Sequence, residues 1–183
     1  MYYKLRALRA SVILNEGGCL AHRTSTLPGI AVDPNHSGAI RQLQRFKQRP
    51  GPFLILADSI STALRQARYI SPALRRLARV SWPGAVSLII PAKPGLHPAC
   101  YDKSSMAVRV DASQQTRYLA KSCGGLLLSS SLNRHSQNPC EPDRKLQMRM
   151  HAFLNGRLMG RPGSGKASQI MRVWRNRCTM IRR

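Results

Sequence analysis

Apolar residues recur at helical spacing in several segments of the chain. The first segment predicts a helix over residues 4–15. A second helix is predicted from Ser37 and must end before Pro50, because the residue ahead of a proline disfavours the helical region. Two more are predicted to begin at Ser61 and at the pair Ser71–Pro72, which offers a capping serine and a proline at the first helical position.

Short, continuous apolar runs predict strands between these helices. They cover residues 53–57, 86–90, 105–110 and 125–130, and a shorter one lies around residues 19–22. Runs of this kind are typical of strands that are buried on both faces. Residues 24–34 are punctuated by proline and glycine and are predicted to form a loop. The alternation predicts a mixed α/β fold, a twisted sheet flanked by helices.

The C-terminal part differs in character. From about residue 141 the chain carries 11 cations against 2 acids and loses strand-like runs. Because Ile170, Met171 and Trp174 keep helical spacing, a last helix with a solvated basic face is predicted, with a basic tail as the alternative. At 183 residues the chain is interpreted as one domain, residues 1–183, whose segment from about 141 is basic and divergent.

The charge balance indicates an anionic partner without naming it. The chain has 30 Lys and Arg against 7 Asp and Glu, a net charge of +23, and such a chain attracts nucleic acid, nucleotides or anionic membranes. A coding bias towards arginine explains an evenly spread excess equally well. Aromatic residues make up only 5% of the chain, which disfavours base stacking on single strands.

Several classes of protein are disfavoured. The five cysteines are widely spaced, with no Cys-x-x-Cys and no close histidine pair, so neither a zinc site nor a disulfide framework is predicted. The N-terminus carries cations but no sustained apolar core before Glu16, so a secretory signal is not expected. No apolar run approaches 18 residues, so a membrane span is not expected either. The reducing cytoplasm is the expected compartment.

The usual catalytic motifs are weak or missing. "GRPGSGKA", residues 160–167, nearly matches a phosphate-binding loop, but Ala167 replaces the hydroxyl that holds magnesium and no strong strand precedes it. No Gly-x-Ser-x-Gly elbow is found, and the acids are too few to predict a catalytic carboxylate pair. His22, near a predicted strand end, is interpreted as a surface or half-buried histidine without a catalytic role.

Three cations, Arg45, Lys47 and Arg49, occupy every second position just before the most apolar strand. A positive charge after the last turn of a helix complements the macrodipole and needs no ligand. However, α/β folds open their crevices at the ends of strands, where Lys47 and Arg49 would suit a polyphosphate.

Several segments, in this order, resemble the YrdC-like family of threonylcarbamoyl-AMP synthases, in particular its short bacterial TsaC form. They are "KQRP" before an apolar strand, "WPGAVSLIIPA" (residues 82–92), "MAVRV" (106–110) and "LLLSSSLN" (126–133). The similarity covers roughly residues 5–175, and the shared order makes it more specific than any single motif. It implies a twisted sheet that encloses a basic concave cleft.

The resemblance implies an enzyme that joins L-threonine, bicarbonate and ATP into L-threonylcarbamoyladenylate and pyrophosphate. This is the first step of t6A modification at position 37 of tRNAs that read ANN codons, and downstream proteins transfer the group to tRNA. The nucleophile is the substrate's own carbamate, so no catalytic protein residue and no protein metal ligand are implied. The protein aligns the reactants and stabilises charge, while Mg²⁺ shares the phosphate load.

The resemblance also implies a set of site residues. Arg109 would hold the threonine carboxylate, a bidentate task suited to guanidinium. Arg23-Thr24-Ser25 stands where the family has Pro-Thr-Glu. ATP would contact Lys47, Arg49, Ser129, Ser131, Asn133 and Ser168, and threonine would contact Thr24, Arg109 and Ser131.

A competing hypothesis keeps the fold and changes the function. A non-catalytic or decayed YrdC-like protein would use the basic cleft to bind tRNA or double-stranded RNA. Its affinity would fall steeply with salt, because each phosphate contact releases counterions.

Overall fold

The computed structural model describes residues 2–133 and 140–183. The helices are α1 (Tyr2–Asn15), α2 (Ser37–Lys47), α3 (Ile60–Arg65), α4 (Pro72–Ser81), α5 (Gln114–Ser122) and α6 (Arg144–Arg149). The strands are β1 (Leu20–His22), β2 (Gly29–Val32), β3 (Leu54–Ala57), β4 (Val86–Pro91), β5 (Tyr101–Asp102), β6 (Ser105–Val110), β7 (Leu126–Ser131), β8 (Gly156–Leu158), β9 (Gln169–Trp174) and β10 (Arg177–Arg182). The predicted mixed α/β class is confirmed.

These ten strands form one mixed sheet, in the order β10-β9-β4-β6-β3-β7-β2-β1-β8, with β5 paired to β6. The central strand β3 runs parallel to β6 and antiparallel to β7. At one end, β9 runs parallel to β4 and forms an antiparallel hairpin with β10.

Helices cover the two faces of the sheet unequally. Residues of α2, α3 and α4 pack on one face, in a core with Ile55, Leu88 and Val108. Residues of α1 and α5 pack on the other face, in a second core with Leu56 and Leu127. Strand alternation places the side chains of Leu54, Ser129 and Arg109 on this second face, beyond the region that α1 and α5 cover. The uncovered part of the face is therefore open to form a site.

Local signals explain where the helices begin and end. Ser71 accepts a hydrogen bond from the Leu74 amide, and Pro72 is the first residue of α4, as predicted. The apolar face of α2 is buried, and the helix ends at Gln48, which lies in the left-handed region with φ 52°. That ending leaves Lys47 at the last helical position, with its side chain buried.

Two predictions in the first part of the chain need correction. The helix predicted from Ser61 begins one residue earlier, at Ile60, and the Ser59 hydroxyl accepts a hydrogen bond from the Thr62 amide as its N-cap. The loop predicted over residues 24–34 contains β2, which pairs with both β1 and β7. Strand β2 is only four residues long and directly follows Pro28. The prolines and glycines of this segment therefore favoured a loop over a strand in the prediction. Helix α5 was not predicted.

The predicted C-terminal helix is wrong, because residues 169–182 form the β9–β10 hairpin. Tertiary pairing with β4 overrides the helical spacing. Ile170 and Met171 are adjacent and point to opposite faces of the sheet, where each is half-buried. None of the helices in the described ranges is long and apolar enough to cross a membrane.

Candidate functional site

A cleft of about 350 Å³ opens on the uncovered part of the second face. Side chains of the strands form its floor: Leu54, Ser87, Ile89, Ala107, Arg109, Ser129 and Ser131. Its walls are completed by Thr24, residues 26–29, Arg49, Pro52, Phe53, Ala167, Ser168, Ile170 and Arg182. Segments far apart in sequence therefore meet at one site, and no described Asp or Glu is among the lining residues.

The cleft brings together most of the residues that the resemblance selected. Lining it are Thr24, Arg49, Arg109, Ser129, Ser131 and Ser168. Lys47 and Asn133 are not among the lining residues and lie behind the wall. Lys47 Nζ donates to the carbonyl oxygens of Ser131 and Asn133 and to Asn133 Oδ1. These hydrogen bonds from Lys47 hold the end of β7 in place. Direct contact between Lys47 and a nucleotide stays a prediction.

The surroundings of Lys47 lower the pKa of its ammonium group. Burial, and then the neighbouring Arg49, lower the pKa of Lys47 to about 8. Arg49 lies at the mouth of the cleft, where its guanidinium stacks 4.5 Å from the centre of the Phe53 ring and donates to the Pro52 carbonyl. The two cations thus differ: Lys47 is buried and holds the end of β7 in place, whereas Arg49 lines the cleft.

Arg109 is held rigidly in the floor. It is 3% exposed, and its Nη2 lies 2.8 Å from Asp111 Oδ2 while its Nη1 donates to Thr26 Oγ1. Its buried Nε has no hydrogen-bond partner among the described atoms. A buried donor without an acceptor is unfavourable. An anionic ligand in the cleft is the kind of group that would relieve it.

Asp111 is the counterion of this arginine. It is fully buried, and its Oδ1 accepts hydrogen bonds from the amides of Ser25 and Ser113. Its Oδ2 accepts from the Ser25 hydroxyl as well as from Arg109. Both oxygens are therefore occupied, so Asp111 fixes the rotamer of Arg109 and has no oxygen left for a metal.

His22 lies beneath the floor of the cleft. It is fully buried rather than half-buried, and its Nε2 lies 3.4 Å from Ser129 Oγ. Burial lowers the pKa of His22 to about 4, outweighing the opposing effect of Asp111. The imidazole is thus neutral near pH 7 and can position the Ser129 hydroxyl without adding charge.

Hydroxyl groups supply the other polar side chains of the lining. Thr24 Oγ1 donates to the Leu27 carbonyl, and Ser131 Oγ donates to Asn133 Oδ1. Ser87 Oγ and Ser168 Oγ lie 3.0 Å apart, although one belongs to β4 and the other precedes β9. The polar part of the lining thus consists of cations and hydroxyls, a set suited to phosphates and carboxylates.

Sequence reasoning missed Arg182, Asp111 and Thr26. Arg182 lies on the rim, where Nε and Nη2 donate to the Ser168 carbonyl over 3.1 and 2.8 Å. It was missed because residues 177–182 were assigned to a helix or tail. Asp111 could have been found from its spacing, because a residue two positions after Arg109 in a strand lies on the same face of the sheet as Arg109.

The glycine-rich segment 160–167 is not a phosphate-binding loop. It runs from β8 into β9, whereas such a loop opens a helix. Instead it packs on residues 24–26: a Cβ on Gly163 would lie 2.3 Å from the Thr26 carbonyl oxygen. The Ser164 amide also donates to the Ser25 carbonyl. The segment therefore buttresses the wall that carries Thr24.

Sequence comparison connects this chain to known proteins. The model of the Sua5_yciO_yrdC family, described as "Telomere recombination", matches residues 12–183. A threonylcarbamoyl-AMP synthase of Stenotrophomonas maltophilia (strain K279a) is 33% identical over 159 residues, which is 84% of this chain and 86% of that protein. Its counterpart in Halorhodospira halophila (strain DSM 244 / SL1) is 32% identical over 167 residues, 85% of each chain.

Solved structures share the fold at low sequence identity. P. abyssi Sua5 complexed with L-threonine superposes with a TM-score of 0.87 at 17% identity, over 98% of this chain and 54% of that one. E. coli YciO gives a TM-score of 0.85 at 17% identity, over 98% of this chain and 89% of that one. Since the family match covers nearly the whole chain and the synthases exceed 30% identity over most of it, the chain belongs to the Sua5/YciO/YrdC family.

Proposed function

We propose that this chain is a threonylcarbamoyl-AMP synthase, a nucleotidyltransferase that makes L-threonylcarbamoyladenylate and pyrophosphate from L-threonine, bicarbonate and ATP. The observation that carries the proposal is the convergence of Arg49, Arg109 and Arg182 with a group of hydroxyls in one cleft whose described lining has no acid. All three substrates are anionic or carry a carboxylate. The relatives' names supply the reaction.

Arg109 is the proposed threonine carboxylate site. Its Nε is a buried donor that still needs an acceptor, and Asp111 and Thr26 keep the guanidinium from turning away. A carboxylate would accept this donor in a charge-assisted bond. Thr24 and Ser131, also in the lining, would contact the amino acid's polar groups.

The nucleotide is proposed to lie along the other wall. This side is lined by Arg49, Ser129, Ser131, Ser168 and Arg182. Lys47 and Asn133 lie behind Ser131, whose carbonyl accepts a hydrogen bond from Lys47. Arginines and hydroxyls would bind the phosphates and polar groups of ATP. Mg²⁺ enters as the counterion of the nucleotide substrate, since no described carboxylate faces the cleft.

Such a lining suits a reaction that needs no protein nucleophile. The amine of threonine and bicarbonate condense to a carbamate with loss of water, and a carbamate oxygen forms a bond to the α-phosphorus of ATP. The bond between that phosphorus and the bridging oxygen breaks, and pyrophosphate carries the electron pair away. The residues contribute alignment and charge stabilisation. In the cytoplasm, downstream proteins would then transfer the threonylcarbamoyl group to tRNA.

The direct test is pyrophosphate release from ATP by the purified chain. Release is expected only when both L-threonine and bicarbonate are present. No release at saturating substrates, together with salt-sensitive binding of tRNA or double-stranded RNA, would instead favour a non-catalytic member of the family.

A second test separates the two halves of the site. Arg109→Ala and Asp111→Asn are expected to raise the KM for threonine at least tenfold and to leave the affinity for ATP nearly unchanged, because the ion pair that both variants break lies on the proposed threonine side of the cleft. Asp102→Asn, at an exposed acid, is the matched control and should behave like the parent chain. Equal losses for ATP and threonine would show that the assignment of Arg109 is wrong.

A further inference from the structure

A basic face extends the floor of the cleft along the β9–β10 hairpin. On β9, alternation places Ile170, Arg172 and Trp174 on one face, and Ile170 lines the cleft. The register sets Arg177 of β10 opposite Trp174, and Thr179 opposite Arg172. Arg172, Trp174, Arg177 and Thr179, here called the hairpin strip, therefore continue the cleft floor towards the edge of the sheet.

The side chains of the hairpin strip are exposed. Every residue of β10 is exposed, and Trp174 keeps 51% of its surface in contact with solvent. The other tryptophan, Trp82, is 4% exposed and donates to the Val86 carbonyl. Within the described ranges, no residue accepts a hydrogen bond or forms an ion pair with the side chains of Arg172 and Arg177.

The chemistry of the strip is an aromatic ring between cations. Residues 169–183 include no acid. Arg172 and Trp174 are two positions apart on a strand, about 6 to 7 Å, and Arg177 lies about 5 Å across the ladder from Trp174. Both guanidinium groups can therefore reach a strand of phosphates while its base stacks on the indole.

We propose that the hairpin strip binds single-stranded RNA, with a base on Trp174 and phosphates on Arg172 and Arg177. An unpaired strand offers both a base face and a flexible backbone, whereas a duplex hides the faces of its bases. The choice of RNA over DNA rests on the proposed function. The low aromatic content had disfavoured stacking, but an exposed tryptophan flanked by arginines is enough for one base.

A membrane surface fits the strip less well. The exposed Met180 pairs with Met171, so it lies on the opposite face of the hairpin from Trp174. The strip thus presents one indole, two guanidinium groups and a hydroxyl rather than an apolar wedge. Interfacial anchors need an apolar face as well as cations.

The test is fluorescence anisotropy with a labelled 12-nucleotide oligouridine, across a salt series. Trp174→Ala is expected to weaken binding about fivefold or more. Arg172→Gln/Arg177→Gln should lower the slope of log K against log salt by about 1.4, because two phosphate contacts are lost. Trp174→Phe should retain most of the affinity.

Arg76→Gln/Arg79→Gln is the charge-matched control. Both arginines are exposed on α4, whose buried face packs on the opposite side of the sheet. This variant should leave RNA affinity within about twofold of the parent chain. Equal weakening by the α4 and strip variants would mean that net charge alone attracts RNA, and the proposal would be wrong.

Two further outcomes would also overturn it. One is equal affinity for a duplex of the same length with no effect of Trp174→Ala. The other is loss of binding to phosphatidylserine vesicles, rather than to RNA, in that variant. Pyrophosphate release is measured in parallel and should be unchanged by all strip variants, since none of these residues lines the cleft. Failure of the synthase assay would leave the RNA result standing, so the two proposals fail separately.

Discussion

The buried ion pair between Asp111 and Arg109 affects both the stability of the cleft floor and the geometry of the site. Each side chain neutralises the buried charge of the other. Asp111 also accepts three hydrogen bonds, from the amide and hydroxyl of Ser25 and from the amide of Ser113. Breaking a buried pair typically destabilises a protein by about 3–5 kcal/mol. The pair therefore links the stability of the floor to the geometry of the proposed carboxylate site.

His22 gives a prediction about acid stability. Its pKa is about 4 in the folded chain and near the ordinary 6.5 when unfolded, so the unfolded state binds the proton more readily between these values. The free energy of unfolding should therefore fall as pH drops from 6.5 to 4, by up to about 3 kcal/mol from this group.

Urea unfolding at several pH values measures this effect. His22→Gln should remove that part of the pH dependence. His151→Gln, at an exposed histidine, should retain it. An unchanged slope in His22→Gln would show that another group titrates.

At the scale of elements, the segment between β8 and β9 and the hairpin that follows were the least predictable parts. Their conformations depend on residues more than 80 positions away: Gly163 packs on residues 24–26, and β9 pairs with β4. No local pattern carries such information. Residues 160–167 therefore resembled a phosphate loop, and residues 169–174 resembled a helix.

The packing of Gly163 leads to a prediction. Gly163→Ala should destabilise the fold by about 1–3 kcal/mol, because its Cβ would meet the backbone oxygens of Thr24 and Thr26 at 2.5 and 2.3 Å. The affinity for threonine should fall with it, since Thr24 would have to move. Urea unfolding and a threonine titration provide the measurements.

Gly38→Ala is the matched control. It adds the same methyl group within α2, where the nearest atom is a flexible histidine side chain at 3.2 Å. It is expected to be neutral or slightly stabilising, because alanine favours helix. If both variants behave alike, the docking of segment 160–167 is not structurally important.

At the scale of the whole molecule, unequal coverage of the sheet creates the cleft, and the chain carries a net charge of +23. Only two ion pairs join described residues. Most cations are therefore uncompensated within the described part of the fold, and anionic ligands should stabilise it strongly.

Thermal unfolding with substrates tests this expectation. At about 100 times its dissociation constant, ATP should add about 2.7 kcal/mol of stability and raise Tm by about 5 to 10 °C. Sulfate at matched ionic strength is the control for unspecific anion binding and should have a much smaller effect. An equal shift with sulfate would contradict a specific nucleotide site.

The sequence by itself determined the α/β class, the capped start of α4, the strands around residues 55, 88, 108 and 128, and most of the segments that supply the cleft. These follow from local periodicity, capping chemistry and the shared order of motifs. Only the tertiary structure decided that Lys47 fastens β7 rather than facing the cleft, that Asp111 holds Arg109, and that residues 169–182 form a hairpin. Lys47 and the hairpin depend on partners distant in sequence, and Asp111 is held in place by Ser25, which also lies far away along the chain. Burial and strand pairing are set by what lies opposite a residue and not by its neighbours along the chain.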